Sequence, residues 1–217
     1  MKVRYSYLKQ QFSNANELWL KLRKFVATGD FTLGKELNTF EKRFAKLIGS
    51  KYAVGVNSGT DAIKLSLKVL NVSEGDEVIT AANTFVATVG AITEIGAKPV
   101  FVDCDDTFCM NVNELEKKIS KKTKAIVPVH FTGYMVDMPK LKKIANSYKI
   151  PIVEDACQSI LANINKKNAG TWGNFGAFSL HPLKNINVWS DGGIITTNKK
   201  KYYDKLKLLR NHGLVDR

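Results

Sequence analysis

The sequence predicts an α/β fold, a mostly parallel β-sheet sandwiched by helices. Three observations predict it. Strand-like and helix-like segments alternate along the chain. Several strand-like segments, such as "AIVPV" (125–129) and "PIVEDA" (151–156), are apolar without alternation, as when helices cover both faces of a sheet. The helix-like segments carry apolar residues three and four apart, which gives each one buried face.

The elements follow in order. Residues 15–29 and 34–49 read as amphipathic helices, the second ended by Gly49. "KYAVGV" (51–56) is a short strand, and "SGTDAIKLSLKVLN" (58–71) opens with small capping residues before becoming helical. Strands are expected at 76–81, 98–103, 124–129 and 150–156, and helices at 84–96, 111–120 and 137–149. "FGAFSL" (175–180) and "GGIITT" (192–197) are the last two strands, close enough in sequence for one to run antiparallel. A helix over 200–213 ends at Gly213. There are no repeats and no flexible linker.

At 217 residues, 44% of them hydrophobic, the chain is long enough to bury a substantial core. "MKVRYSYLKQQF" has no apolar stretch of the kind a signal peptide needs, and no segment approaches a membrane span. Cys104, Cys109 and Cys157 form no CxxC pair, so they read as reduced, buried thiols of a cytoplasmic protein. The net charge of +13 comes mainly from lysines clustered at 117–124, 140–143 and 198–210. These clusters fall on polar helix faces and in loops, without the arginine or interleaved aromatics of a nucleic-acid surface, and no nucleic-acid or membrane partner is expected. A positive field also suits small anionic substrates.

Sites in parallel sheets gather outside the carboxyl ends of the strands. Three stretches lie there. "GVNSGTDAIKL" (55–65) is a strand, a small-residue turn and a helix start, whose free N–H groups suit a phosphate. It lacks P-loop and GxGxxG spacing, and taken alone an ordinary N-cap explains it. "VEDACQS" (153–159) puts Asp155 at the end of a buried strand, where a carboxylate is costly unless it meets a cation or donor; capping of the next turn is the competing reading. "SLHPLKNINVWSDGG" (179–193) holds Lys184 in a constricted, mostly apolar turn. Desolvation there would lower the pKa of its amine and make it a usable nucleophile. A lysine, a carboxylate and a phosphate cradle are together what pyridoxal phosphate requires.

These stretches, with "GDFTLGKELNTFEKRFAKLIGSKYAVGVNSGTDAI" and "EGDEVITAANTFVATVGAITEIGAKPVFVD", resemble the DegT/DnrJ/EryC1/StrS family. The resemblance runs from about Gly29 to Arg217. It implies a pyridoxal-phosphate aminotransferase of fold type I that acts on nucleotide-linked keto sugars with glutamate or glutamine as donor, usually for surface polysaccharide. It also implies a homodimer. Lys184 resembles the Schiff-base lysine, Asp155 the partner of the pyridine nitrogen, and Gln158 the residue that meets the ring hydroxyl. Thr60, Asp61 and Ser179 resemble the phosphate binders. Phe85 resembles the aromatic that stacks on the ring, although periodicity alone would place it in the core. His181 adjoins the lysine, where it can touch substrate or serve structure. No metal site is expected.

The implied division is an N-terminal helical segment at 1–28 and a cofactor-binding large domain at 29–217. Family members continue into a smaller C-terminal domain, so the sequence is expected to be a C-terminally truncated piece of a longer enzyme, and the piece alone to be inactive. Two other functions share the fold. Dehydratase relatives carry histidine where Lys184 stands, and the lysine argues against that chemistry. A non-catalytic regulatory or binding homologue is the remaining alternative, set against an intact Lys184, Asp155, Gln158 and Ser179.

Overall fold

The computed structural model describes residues 6–215. The outermost residues of the two expected segments, 1–5 and 216–217, lie outside them. The helices are α1 (Leu8–Gln11), α2 (Asn16–Val26), α3 (Lys35–Ile48), α4 (Gly59–Val69), α5 (Val86–Thr93), α6 (Leu115–Lys118), α7 (Met138–Ser147) and α8 (Lys200–Leu209). The strands are β1 (Tyr52–Val56), β2 (Glu77–Ala81), β3 (Lys98–Val102), β4 (Thr123–Val127), β5 (Val153–Asp155), β6 (Asn163–Ile164), β7 (Lys167–Asn168), β8 (Phe175–Ser179) and β9 (Gly193–Thr197).

Strands pair in the orders β3-β2-β4 and β5-β8-β9-β1. Parallel bridges at Ile126–Ile152 and Val129–Asp155 join β4 to β5, so the seven form one continuous run. Pairing is parallel throughout except at β9, which is antiparallel to both β8 and β1. The antiparallel strand left open by the sequence is therefore β9.

Adjacent residues of the strands enter opposite cores, as the two-residue period of a strand requires. Ala53, Ile79, Phe178 and Ile194 lie in one core with Phe44, Ile48, Leu115, Leu141 and Ala145 of α3, α6 and α7. Their neighbours Val54, Val78, Ala177 and Ile195 lie in the other with Ala62, Ile63, Leu67, Ala91, Ile92 and Leu206 of α4, α5 and α8. Burial on both faces is the reason these strands are continuously apolar.

Local signals set most boundaries. In α3 the buried Glu41, Phe44, Ala45 and Ile48 recur three and four apart, and Gly49 ends the helix at φ 84°. Glu41 is buried because Arg210, after α8, pairs with it and because it accepts the Gly55 N–H at 2.7 Å. Asp137 caps α7 by accepting the Lys140 N–H at 3.1 Å, with Pro139 in the first turn. By contrast, α2 has no buried residue.

Three expectations are corrected. The helix expected over 84–96 is shorter, because Phe85 is extended (φ −69°, ψ 142°) and caps α5 rather than lying within it. The helix over 111–120 is a 3-10 turn (Val112–Glu114) running into the single turn of α6, which stops where Ile119 becomes extended. The hairpin β6–β7, turned by Asn165 and Lys166 at positive φ, was not foreseen. Of the cysteines, all free, only Cys109 is fully buried. Among the described residues no helix is long and apolar enough to cross a membrane.

Candidate active site

The sheet brings the three sequence stretches together at the carboxyl ends of β1, β5 and β8. Ser58 caps α4 through its Oγ, which accepts the Asp61 N–H at 3.0 Å. The Asp61 carboxylate pairs with Lys64 at 2.8 Å, one turn on, and Lys64 also meets Glu94. Both polar ends of Asp61 are thus engaged within the scaffold. The N–H groups of Gly59 and Thr60 open the helix and have no intrahelical acceptor.

Two glycines make the close approach possible. A Cβ on Gly59 would come within 2.8 Å of both Cys157 Sγ and Ser179 Cβ. A Cβ on Gly193, in β9, would overlap the Ser58 carbonyl. The start of α4 is therefore pressed against the segment after β5, the end of β8 and the start of β9. A small cavity beside it is lined by Ala156, Cys157, Ser179, Leu180, Lys184 and Asn185.

Lys184 is half-buried in the turn after β8. Its N–H donates to the His181 carbonyl at 2.8 Å, which closes the turn, while His181 itself is exposed and accepts the Leu183 N–H on Nδ1. The charges of this region converge on one thiol. Burial pushes Cys157 well above its ordinary pKa, Asp155 pushes the same way by charge and hydrogen bond, and the Lys184 ammonium pulls it back.

Asp155 ends β5 and is 6% exposed. Its Oδ2 accepts from Thr88 Oγ1 at 2.7 Å and its Oδ1 from the Cys157 N–H at 3.1 Å. The competing capping role is present too, since that N–H begins the following turn. Gln158 places Oε1 on the Thr132 N–H at 2.9 Å and so holds the turn at Phe131–Gly133. Phe85 is 67% exposed, which removes the core reading. Its carbonyl accepts the Thr88 N–H at 3.0 Å, so the ring is rooted one turn from the contact to Asp155.

Glu154 turns to the opposite face from Asp155, again by the period of the strand. It is fully buried, accepting the Trp172 and Gly173 N–H groups on Oε1, both at 2.7 Å. Oε2 takes the Gly170 N–H at 2.9 Å and His130 Nε2 at 3.0 Å. His130 Nδ1 accepts the Val136 N–H at 3.3 Å, so the ring proton sits on Nε2 and points at Glu154. No motif in the sequence singles out Glu154, His130 or Thr88. The spacing of Thr84 and Thr88, one turn apart beside Phe85, was the one available signal.

The site fits a phosphorylated, cationic ring. Free N–H groups of a helix start, with the hydroxyls of Thr60 and Ser179, suit a phosphate where no Cβ crowds it. Each Asp155 oxygen has one protein donor and keeps an acceptor position for a ring N–H.

Comparison with known proteins agrees with this reading. The model of the DegT/DnrJ/EryC1/StrS aminotransferase family matches residues 13–217. A UDP-N-acetyl-3-dehydro-alpha-D-glucosamine 3-aminotransferase of Acidithiobacillus ferrooxidans is 40% identical over 91% of this chain and 54% of its own. The structure of DesV from S. venezuelae, in complex with a ketimine intermediate, superposes with TM-score 0.96 at 35% identity, covering 100% of this chain and 59% of that one. The structure of NtdA from Bacillus subtilis with bound cofactor PMP gives TM-score 0.89 at 34% identity, over 95% of this chain and 47% of that one. The chain spans roughly half the length of the relatives it matches.

Proposed function

The chain belongs to the DegT/DnrJ/EryC1/StrS aminotransferase family, and from that premise we propose that it forms the large domain of a nucleotide-sugar aminotransferase. The proposed reaction moves an amino group from glutamate or glutamine to a keto sugar on a nucleoside diphosphate, in amino-sugar or surface-polysaccharide synthesis. Pyridoxal phosphate is the proposed cofactor and a homodimer the proposed working form. One observation carries the reading: the α4 start, the buried Asp155 and the Lys184 turn, far apart in sequence, meet around Cys157.

Pyridoxal phosphate supplies an aldehyde for an amine and a protonated ring that takes up the electron pair left when a substrate carbon loses its proton. The residues divide the remaining work. Lys184 Nζ would be the attachment point, and its amine would carry the proton to and from the substrate carbon. Asp155, each oxygen held by one donor, would face the ring nitrogen. Gly59 and Thr60 N–H, with the Thr60 and Ser179 hydroxyls, bind the phosphate, and Asp61 fixes the Ser58 cap behind them. Gln158, with Oε1 occupied by Thr132, turns Nε2 to the ring hydroxyl. The exposed ring of Phe85 covers one face of the cofactor.

The test, run on the whole enzyme of which this chain would be the large domain, is amino transfer from ¹⁵N-glutamate or amide-labelled ¹⁵N-glutamine to UDP- and dTDP-linked keto sugars, read by mass spectrometry of the nucleotide sugar. Label in the sugar, dependent on pyridoxal phosphate, supports the reading. Its absence with both donors and both nucleotides overturns it.

A further inference from the structure

We propose that Thr88 is a positioning residue for Asp155, with Thr84 in turn orienting Thr88; this rests on Asp155 meeting the cofactor's ring nitrogen. Thr88 is 1% exposed on a helix whose other residues, before the terminal Thr93, are Val, Ala, Gly and Ile. A buried hydroxyl is costly unless bonded, and a valine of nearly the same shape would pack there without that cost. The hydroxyl is instead spent on Asp155, 2.7 Å away.

The direction of each bond follows from counting protons. An ionised carboxylate only accepts, so Thr88 donates its single proton to Asp155 Oδ2. The Thr84 hydroxyl, 2.7 Å from Thr88 Oγ1, then has to donate to it. The Cys157 N–H holds the other oxygen. Two contacts, one from a helix and one from the following turn, fix the carboxylate plane. The same first turn of α5 carries Phe85, so a single helix start sets both the exposed ring and the carboxylate.

The experiment compares two ligands on the full chain: pyridoxal phosphate and its 1-deaza analogue, which has carbon in place of the ring nitrogen. Dissociation constants are measured by fluorescence, and melting temperatures without ligand are recorded alongside. Wild type should prefer pyridoxal phosphate. Thr88→Val should weaken pyridoxal phosphate about ten-fold, the size of one lost hydrogen bond to a charged group. It should leave the deaza analogue within about two-fold, and Thr88→Ser should restore the difference. Equal weakening of both ligands, or of neither, would overturn the positioning role, since a packing defect does not distinguish them. If Thr88→Val does not fold, Thr84→Ala carries the same comparison, with selective loss of pyridoxal phosphate expected and equal loss overturning the role. Wild type that binds both ligands equally would instead overturn the ring-nitrogen reading, and the inference with it.

Discussion

Glu154 gathers four donors in a fully buried position, and Glu154→Gln tests what that network is worth. The glutamine oxygen can keep the Trp172 and Gly173 N–H groups, each at 2.7 Å. Its NH₂ then faces the Gly170 N–H and His130 Nε2, two donors that had a carboxylate oxygen. His130 can shift its proton to Nδ1 and accept from the glutamine, but it then loses the Val136 N–H. Either way two hydrogen bonds go, at least one of them to a charge. At roughly 1.5–3 kcal/mol for each bond to a carboxylate and about 1 kcal/mol for a neutral one, the loss is about 2.5–6 kcal/mol. That is a large part of the roughly 5–15 kcal/mol that holds a domain together. Urea unfolding followed by tryptophan fluorescence and by circular dichroism measures it, with the midpoint falling and the slope unchanged. A loss under about 1 kcal/mol would refute the reasoning, because it would mean that these N–H groups find other acceptors at little cost.

Phe85→Ala should leave the melting temperature within about a degree, since the ring is 67% exposed, yet weaken pyridoxal phosphate about five-fold in a fluorescence titration through lost stacking. A large drop in melting temperature would place the ring in the core after all. Stability should also fall on the alkaline side through Cys157. Its folded pKa is raised by burial and by Asp155, so above an ordinary thiol value of about 9 the unfolded chain gives up the proton while the folded chain keeps it. That contribution is complete below pH 9 and is lost above it, by up to about 1.4 kcal/mol per pH unit. Urea midpoints at pH 8 and pH 10 should lie closer together in Cys157→Ala than in wild type; identical pH dependence would contradict the assignment.

The sequence was most informative where one residue type serves one local purpose. Gly49 ends α3 because a left-handed residue must, and the unbroken apolar strands announce a sheet buried on both faces. Lys184 stood out because no amphipathic pattern explains it. Contacts between distant segments were not legible. Nothing local says that the Thr88 hydroxyl reaches a carboxylate 67 residues away, or that Glu154 is the buried acceptor for a loop beyond it. Phe85 looked apolar and helical, but its extended backbone turns it out as a cap. The β6–β7 turn escaped notice because it uses Asn165 and Lys166 at positive φ rather than the asparagine–glycine pair that signals such hairpins. The family resemblance implies Asp61 as a phosphate binder, at a position where the fold engages its N–H with Ser58 and its carboxylate with Lys64.

The proposed function requires Lys184 to hold the cofactor covalently, in a cradle made by α4, β5 and the turn after β8. Borohydride reduction of the chain with pyridoxal phosphate, followed by peptide mass mapping, tests it most directly. The reduced cofactor is expected on Lys184 and on none of the other lysines, with the label gone in Lys184→Ala. Label spread over surface lysines, or a bound cofactor that leaves Lys184 unmodified, would contradict it.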